Sequence, residues 1–139
     1  MERKAQCEEI EYTLTMNSRQ ARECLKAVEL LMRMKINQPE EISRAVLDGM
    51  YERIGIDEYI RRKNGANEYL RAAFAVIFPN WDEVRKDDEW YVLYNIYQAI
   101  RYQIHLAEHP GSTGVDSYPP IQITDEPIPK CEYRKGGAV

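Results

Sequence analysis

The sequence predicts a mainly α fold: about four helices around a long C-terminal helix, with a minor two-stranded β element and an extended C-terminal arm. Three observations predict it. Leu93, Tyr97, Ile100, Ile104 and Ala107 step by four, three, four and three, the seam of a helix packed against other helices. Residues 9–16 alternate polar and apolar, the period of a half-buried strand. From residue 111 onward Gly, Ser, Pro and Asp dominate, and Pro119, Pro120, Pro127 and Pro129 forbid a helix. A chain of 139 residues, 44% hydrophobic and 30% charged, suits one globular domain. The expected division is a helical domain with an N-terminal strand over 1–110 and a Pro/Gly-rich arm over 111–139 that packs on it and ends in disorder.

Each element has a local reason. Ile10, Tyr12, Leu14 and Met16 form one face of the expected strand, and its best partner is Ile121 to Thr124. Asn17 and Gln20 have capping-box spacing, so a helix begins there and runs to about Lys35. Its inner stripe is Ala21, Cys24, Leu25, Val28, Leu31 and Met32. Pro39 suits the first position of a second helix, with Glu40 and Glu41 in the turn where the dipole favours anions. Ile42, Ala45, Val46 and Met50 are its expected inner face, and it ends between Met50 and Ile54. Asp57 to Lys63 forms a short helical turn, Asn64-Gly65 stops it, and a helix restarts near Ala66. That helix carries Leu70, Ala73, Phe74 and Ile77 inward and ends before Pro79. A charged connector leads to the long helix, 87–108, which spans roughly 33 Å. Pro110-Gly111 ends it. Ile121, Ile123 and Ile128 are the expected anchors of the arm.

Composition narrows the function classes. The net charge is −4 and the acids are dispersed, which weighs against direct nucleic-acid binding. The densest basic group, Arg61-Arg62-Lys63, reads as a solvated helix end. Three widely spaced cysteines, Cys7, Cys24 and Cys131, form no CxxC pair and suggest a reducing compartment. The first residues lack the apolar core of a signal peptide, and no apolar run reaches the ~20 residues of a membrane helix. The expected setting is cytoplasmic, with no membrane partner.

Two constellations carry chemical possibilities. His105-Leu106-Ala107-Glu108-His109 matches a zinc-protease spacing, and two His at i and i+4 share a helix face. The pattern sits on a last helical turn against Pro110 and no further His exists to complete a site, so no metal and no cofactor is expected. There is no phosphate loop and no recognisable nucleophile turn, so no catalytic residue is assigned. The second constellation is a polar-aromatic stripe on the long helix: Tyr94, Gln98, Arg101 and His105. Arg supplies a planar fork, Tyr a stacking surface and Gln an edge reader, a set that can hold an anion or a nucleotide. The ten tyrosines tilt the chain toward recognition.

Leu14-Thr15-Met16-Asn17-Ser18, Met34 to Ile42, Ile96 to Arg101 and Asp125 to Lys130 resemble phrases of a group of uncharacterised small proteins from bacteriophages and integrated mobile elements. The sequence departs from that pattern around Asn37 and across 48–89. The resemblance implies an accessory protein working inside a bacterial host cell, acting by binding. The resulting expectation is a non-catalytic binder that blocks or sequesters a host protein or a small anionic, nucleotide-like signal, as a host-defence antagonist. A small enzyme, metal-dependent through His105 and His109 or nucleotide-directed, is the alternative, and a homo-oligomeric assembly component held through the Tyr-rich helix is another.

Overall fold

The computed structural model describes residues 10–135. Four helices of two turns or more carry the described chain: α1 (Ser18–Lys35), α2 (Glu40–Leu47), α4 (Ile56–Ile77) and α5 (Asp88–Glu108), with a single turn, α3 (Tyr51–Ile54), between α2 and α4. Short 3₁₀ turns lie at Asp48–Met50, Trp81–Glu83 and Val115–Ser117.

Helix α1 is delimited by its ends. Asn17 accepts from the Gln20 amide at 2.9 Å, and the Gln20 side chain accepts from the Asn17 amide at 3.0 Å, closing the capping box. At the other end the Gln38 amide donates to the Arg33 carbonyl at 2.9 Å and the Asn37 amide to the Met34 carbonyl at 3.1 Å. This is a Schellman termination, with Asn37 in the left-handed position at φ 59° where glycine is commonest. Pro39 then sits at the N-cap of α2, one residue before the helix that the sequence has it begin. Asp87 caps α5 by accepting from the Trp90 amide at 2.9 Å, and Asp88 and Glu89 fill its first turn.

The helices form two antiparallel pairs. Arg22, near the start of α1, pairs with Glu108 at the end of α5, and Lys35, at the end of α1, meets Glu89 at the start of α5 at 2.8 Å. The Trp90 indole N–H reaches the Met32 carbonyl at 3.1 Å. In the second pair Arg71 bridges to Glu40 at 2.7 Å, the Ser43 hydroxyl donates to Asn67, and the Tyr59 hydroxyl donates to Asp48 at 2.7 Å, so α2 runs against α4. The packing is α1 on α5 and α2 on α4, with α1 meeting α2 at the corner and Val115–Ser117 lying on α5. Helix α4 makes no comparable packing with α5, so the pairs adjoin without closing into one bundle.

That openness explains a thin core. Among the described residues the buried apolar side chains are Met32, Pro39, Leu47, Trp90, Ala99 and Ile100, and none is completely sealed.

Several expectations change. No strand is present among the described residues: residues 10–16 have no regular structure, and Ile10, Tyr12 and Leu14 are exposed. Glu9, the first residue of the expected strand, lies outside the described residues, as do Cys7 and residues 136–139 of the expected disordered end. Ile121 and Ile123 do not anchor the C-terminal segment by their side chains, which are exposed; the contact is instead the Ile121 carbonyl, which accepts from Asn95 Nδ2 at 2.7 Å. Asn64-Gly65 does not stop a helix, because α4 runs through it without interruption. Glycine inside a helix costs only about 1 kcal/mol relative to alanine, less than the packing of Leu70 and Phe74 gives back. The inner face of α2 is rotated from that expected: Ser43 and Leu47 are buried, while Ala45 and Val46 face solvent. Ala73 and Ile77 are exposed on α4, and Leu31 on α1.

Candidate binding cleft

The long helix presents its residues differently from the two stripes drawn on the sequence. Gln98 and His105, two of the four expected site residues, are buried, at 7% and 8% exposure, and do not line the cleft that Tyr94 and Arg101 face. Leu93, Tyr97 and Ile104, assigned to the seam, are only half-buried. Tyr94 and Arg101 do face a cleft, and the residues they share it with on α5 are Trp90 and Tyr97. The true stripe is therefore Trp90, Tyr94, Tyr97 and Arg101, stepping by four, three and four. Its spacing is in the sequence, but Trp90 lies one turn before the Tyr94–Gln98–Arg101–His105 stripe and Tyr97 falls on the seam with Leu93 and Ile100.

The cleft has a volume of ≈ 340 Å³. One wall is α1, through Glu29, Met32, Arg33 and Ile36; Gln38 closes the corner and Lys86 enters from the connector. The rings of Trp90 and Tyr94 are stacked, 5.2 Å apart and 16° from parallel. Lys86 Nζ lies 4.6 Å from the Trp90 ring centre, and the Arg101 guanidinium carbon lies 5.2 Å from the Tyr97 ring centre. Arg33 donates to Gln38 at 2.8 Å and pairs with Glu29 at 3.4 Å.

Arg101 is the most constrained of the three cations. Its side chain is 11% exposed, with Nε 3.4 Å from Asp116 and Nη2 donating to the Val115 carbonyl at 3.3 Å. Nε itself has no well-aligned acceptor. The 3₁₀ turn at Val115–Ser117 thus orients this guanidinium from behind. Burial raises the Tyr97 phenol above its ordinary pKa; the Glu29 charge adds to this, and Arg101 opposes it. Tyr97 is consequently neutral across the physiological range and can offer an O–H.

The cleft thus gathers three cations, of which Arg33 is paired with Glu29 and Arg101 with Asp116 while Lys86 lies over the Trp90 ring, and three aromatic rings, in a chain of net charge −4. No serine, cysteine or histidine lines it. A second hollow of ≈ 320 Å³, between Asn37, Pro39, Glu40, Arg71, Ala75 and Phe78, has its charges neutralised by the Arg71–Glu40 pair.

The histidine constellation is separated by the fold. His105 is buried, whereas His109 is exposed at the C-cap with non-helical backbone, φ −130° and ψ 50°. The carboxylate between them, Glu108, is held below its ordinary pKa by hydrogen bonding from Arg22. No cluster of three or more metal-ligating side chains occurs among the described residues. No helix among the described residues is long and apolar enough to cross a membrane. Comparison with protein-family models, with curated proteins and with solved structures gives no match.

Proposed function

We propose that this chain is a non-catalytic binding protein whose Trp90–Tyr94–Tyr97–Arg101 cleft takes a small planar anion of nucleotide chemistry. One observation carries the reading: three cations converge on three aromatic rings in a net acidic chain. Tyr94, backed by the buried Trp90 ring, supplies a π-surface for a base, and Lys86 supplies charge for a phosphate, with Arg33 and Arg101 exchanging Glu29 and Asp116 for it. The volume, at the lower end of the range of ligand pockets, suits one mononucleotide. The phage or mobile-element setting belongs to the same proposal and rests on the sequence resemblance. In that setting the binder sequesters a nucleotide-like signal of a bacterial host cell.

Tryptophan fluorescence tests the reading. With Trp81→Phe, Trp90 is the single tryptophan reporter. Titration with adenosine and guanosine monophosphates should quench it saturably. Arg101→Met or Lys86→Met should weaken binding about tenfold or more, the equivalent of one charge-assisted contact. No saturable quenching by either nucleotide, or titrations unchanged in both variants, would refute the assignment.

A further inference from the structure

Glu29 is the one acid on the wall of a cleft otherwise suited to anions. A carboxylate there repels the phosphate that Lys86, Arg33 and Arg101 attract. Among the described residues its side chain makes one polar contact, Oε1 with Arg33 Nη2 at 3.4 Å, one turn along the same helix. Both side chains are partly exposed, so the pair is weak and exchangeable. The antiparallel docking of α1 sets Glu29 nearer than Arg33 to the Tyr97–Arg101 end of the cleft.

We propose that the base this cleft takes is guanine and that Glu29 reads it. The proposal rests on the nucleotide reading of the cleft. A phosphate that draws Arg33 away leaves Glu29 charged and without a donor, a cost that the ligand offsets only by bringing donors of its own. Both carboxylate oxygens accept and neither donates. Among the common bases, guanine alone carries two N–H donors side by side on its pairing edge, at N1 and N2, and these meet the two oxygens together in a bidentate contact. Adenine and cytosine set their amino group beside a ring acceptor, which would face the second oxygen. Uracil sets its single N–H between two carbonyls.

Tyr97 supplies the remaining part of that edge. Its phenol feels the Glu29 charge and stays protonated, so an O–H donor lies near the carboxylate. Guanine presents its O6 acceptor next to N1–H, in the order that a carboxylate followed by a hydroxyl donor requires. Tyr94, backed by Trp90, is the face on which the ring stacks.

Fluorescence titration of the full chain carrying Trp81→Phe tests this, with the monophosphates of guanosine, inosine, adenosine and xanthosine as ligands. Guanosine monophosphate should bind about tenfold more tightly than inosine monophosphate, which lacks only the N2 amino group, and about tenfold or more above adenosine monophosphate. Glu29→Gln should abolish the guanosine preference and raise the affinity for xanthosine monophosphate, whose C2 carbonyl accepts from the introduced amide. A damaged fold cannot produce that gain. Guanosine and adenosine monophosphates binding within about threefold of each other would overturn the guanine assignment while leaving the nucleotide reading in place. A guanosine preference that survives Glu29→Gln would overturn the role of Glu29. No saturable binding of any of the four would overturn both readings together.

Discussion

Trp90→Phe probes the joint on which the α1–α5 pair depends. The C-terminal turn of α1 leaves the Met32 carbonyl without a backbone donor, because the Ile36 amide turns to Arg33 instead. The Trp90 indole, 6% exposed, supplies that donor across the helix interface at 3.1 Å. Phenylalanine keeps an aromatic ring but removes the N–H and part of the ring area. The orphaned buried carbonyl costs about 1–3 kcal/mol. The lost apolar contact, some 40 Å², adds about 1 kcal/mol. The sum, about 2–4 kcal/mol, is a large share of the stability of a domain this size. Urea unfolding followed by circular dichroism should show the midpoint falling by about 1–2 M at an m-value of ~2 kcal/mol/M. Trp81→Phe is the control: that ring is 86% exposed, and its loss should change stability by less than about 0.5 kcal/mol. If Trp90→Phe unfolds within 0.5 kcal/mol of the parent, as a rough limit, water serves the Met32 carbonyl and the indole does not cap α1.

Asn37 holds the left-handed position that ends α1, so Asn37→Gly should stabilise the protein by about 0.5–1 kcal/mol and Asn37→Ala destabilise it by about 1 kcal/mol, both readable by urea unfolding. Glu58 accepts from Arg61 and Arg62, and these bonds lower its pKa to about 2. Since the folded value lies below the unfolded one of about 4.3, its contribution to stability is complete above pH ~4.3 and disappears as pH falls through about 2. Carboxyl-resolved NMR titration should place its midpoint near 2, and 1 M salt should move it upward because the group is exposed. A midpoint near 4.3 at low salt would show that the two arginines do not hold it.

The two ends of α1 were readable from local chemistry. Asn17 and Gln20 cap each other through side chains three residues apart, and such a bond needs nothing from the rest of the fold. The same holds for α5, bounded by Asp87 and by Pro110-Gly111, and for the end of α4 before Pro79. The errors share one cause. Reading each apolar residue as a core residue assumes a closed bundle, and this fold is two pairs meeting at a corner. Val46, Ala73, Ile77 and Leu31 were therefore sent inward and lie exposed. The 9–16 alternation predicted a strand, but an isolated strand needs a partner, and Ile121 to Thr124 does not take that place.

By itself, the sequence determined where α1 and α5 begin and end and where α4 stops, because caps, prolines and charged first turns act over a few residues; it did not give the start of α4, which runs from Ile56 through Asn64-Gly65. It also determined that Tyr94 and Arg101 share a helix face. Only the tertiary structure decided what that face meets. The antiparallel docking of α1 brings Glu29, Arg33 and Ile36 across from α5, and so makes a cleft of Trp90 and Tyr97, while Gln98 and His105 lie buried beside it. The physical reason is that helical periodicity fixes neighbours on one cylinder, whereas burial depends on which other cylinder arrives, and that is set by contacts such as Arg22–Glu108 and Lys35–Glu89 between residues far apart in the chain.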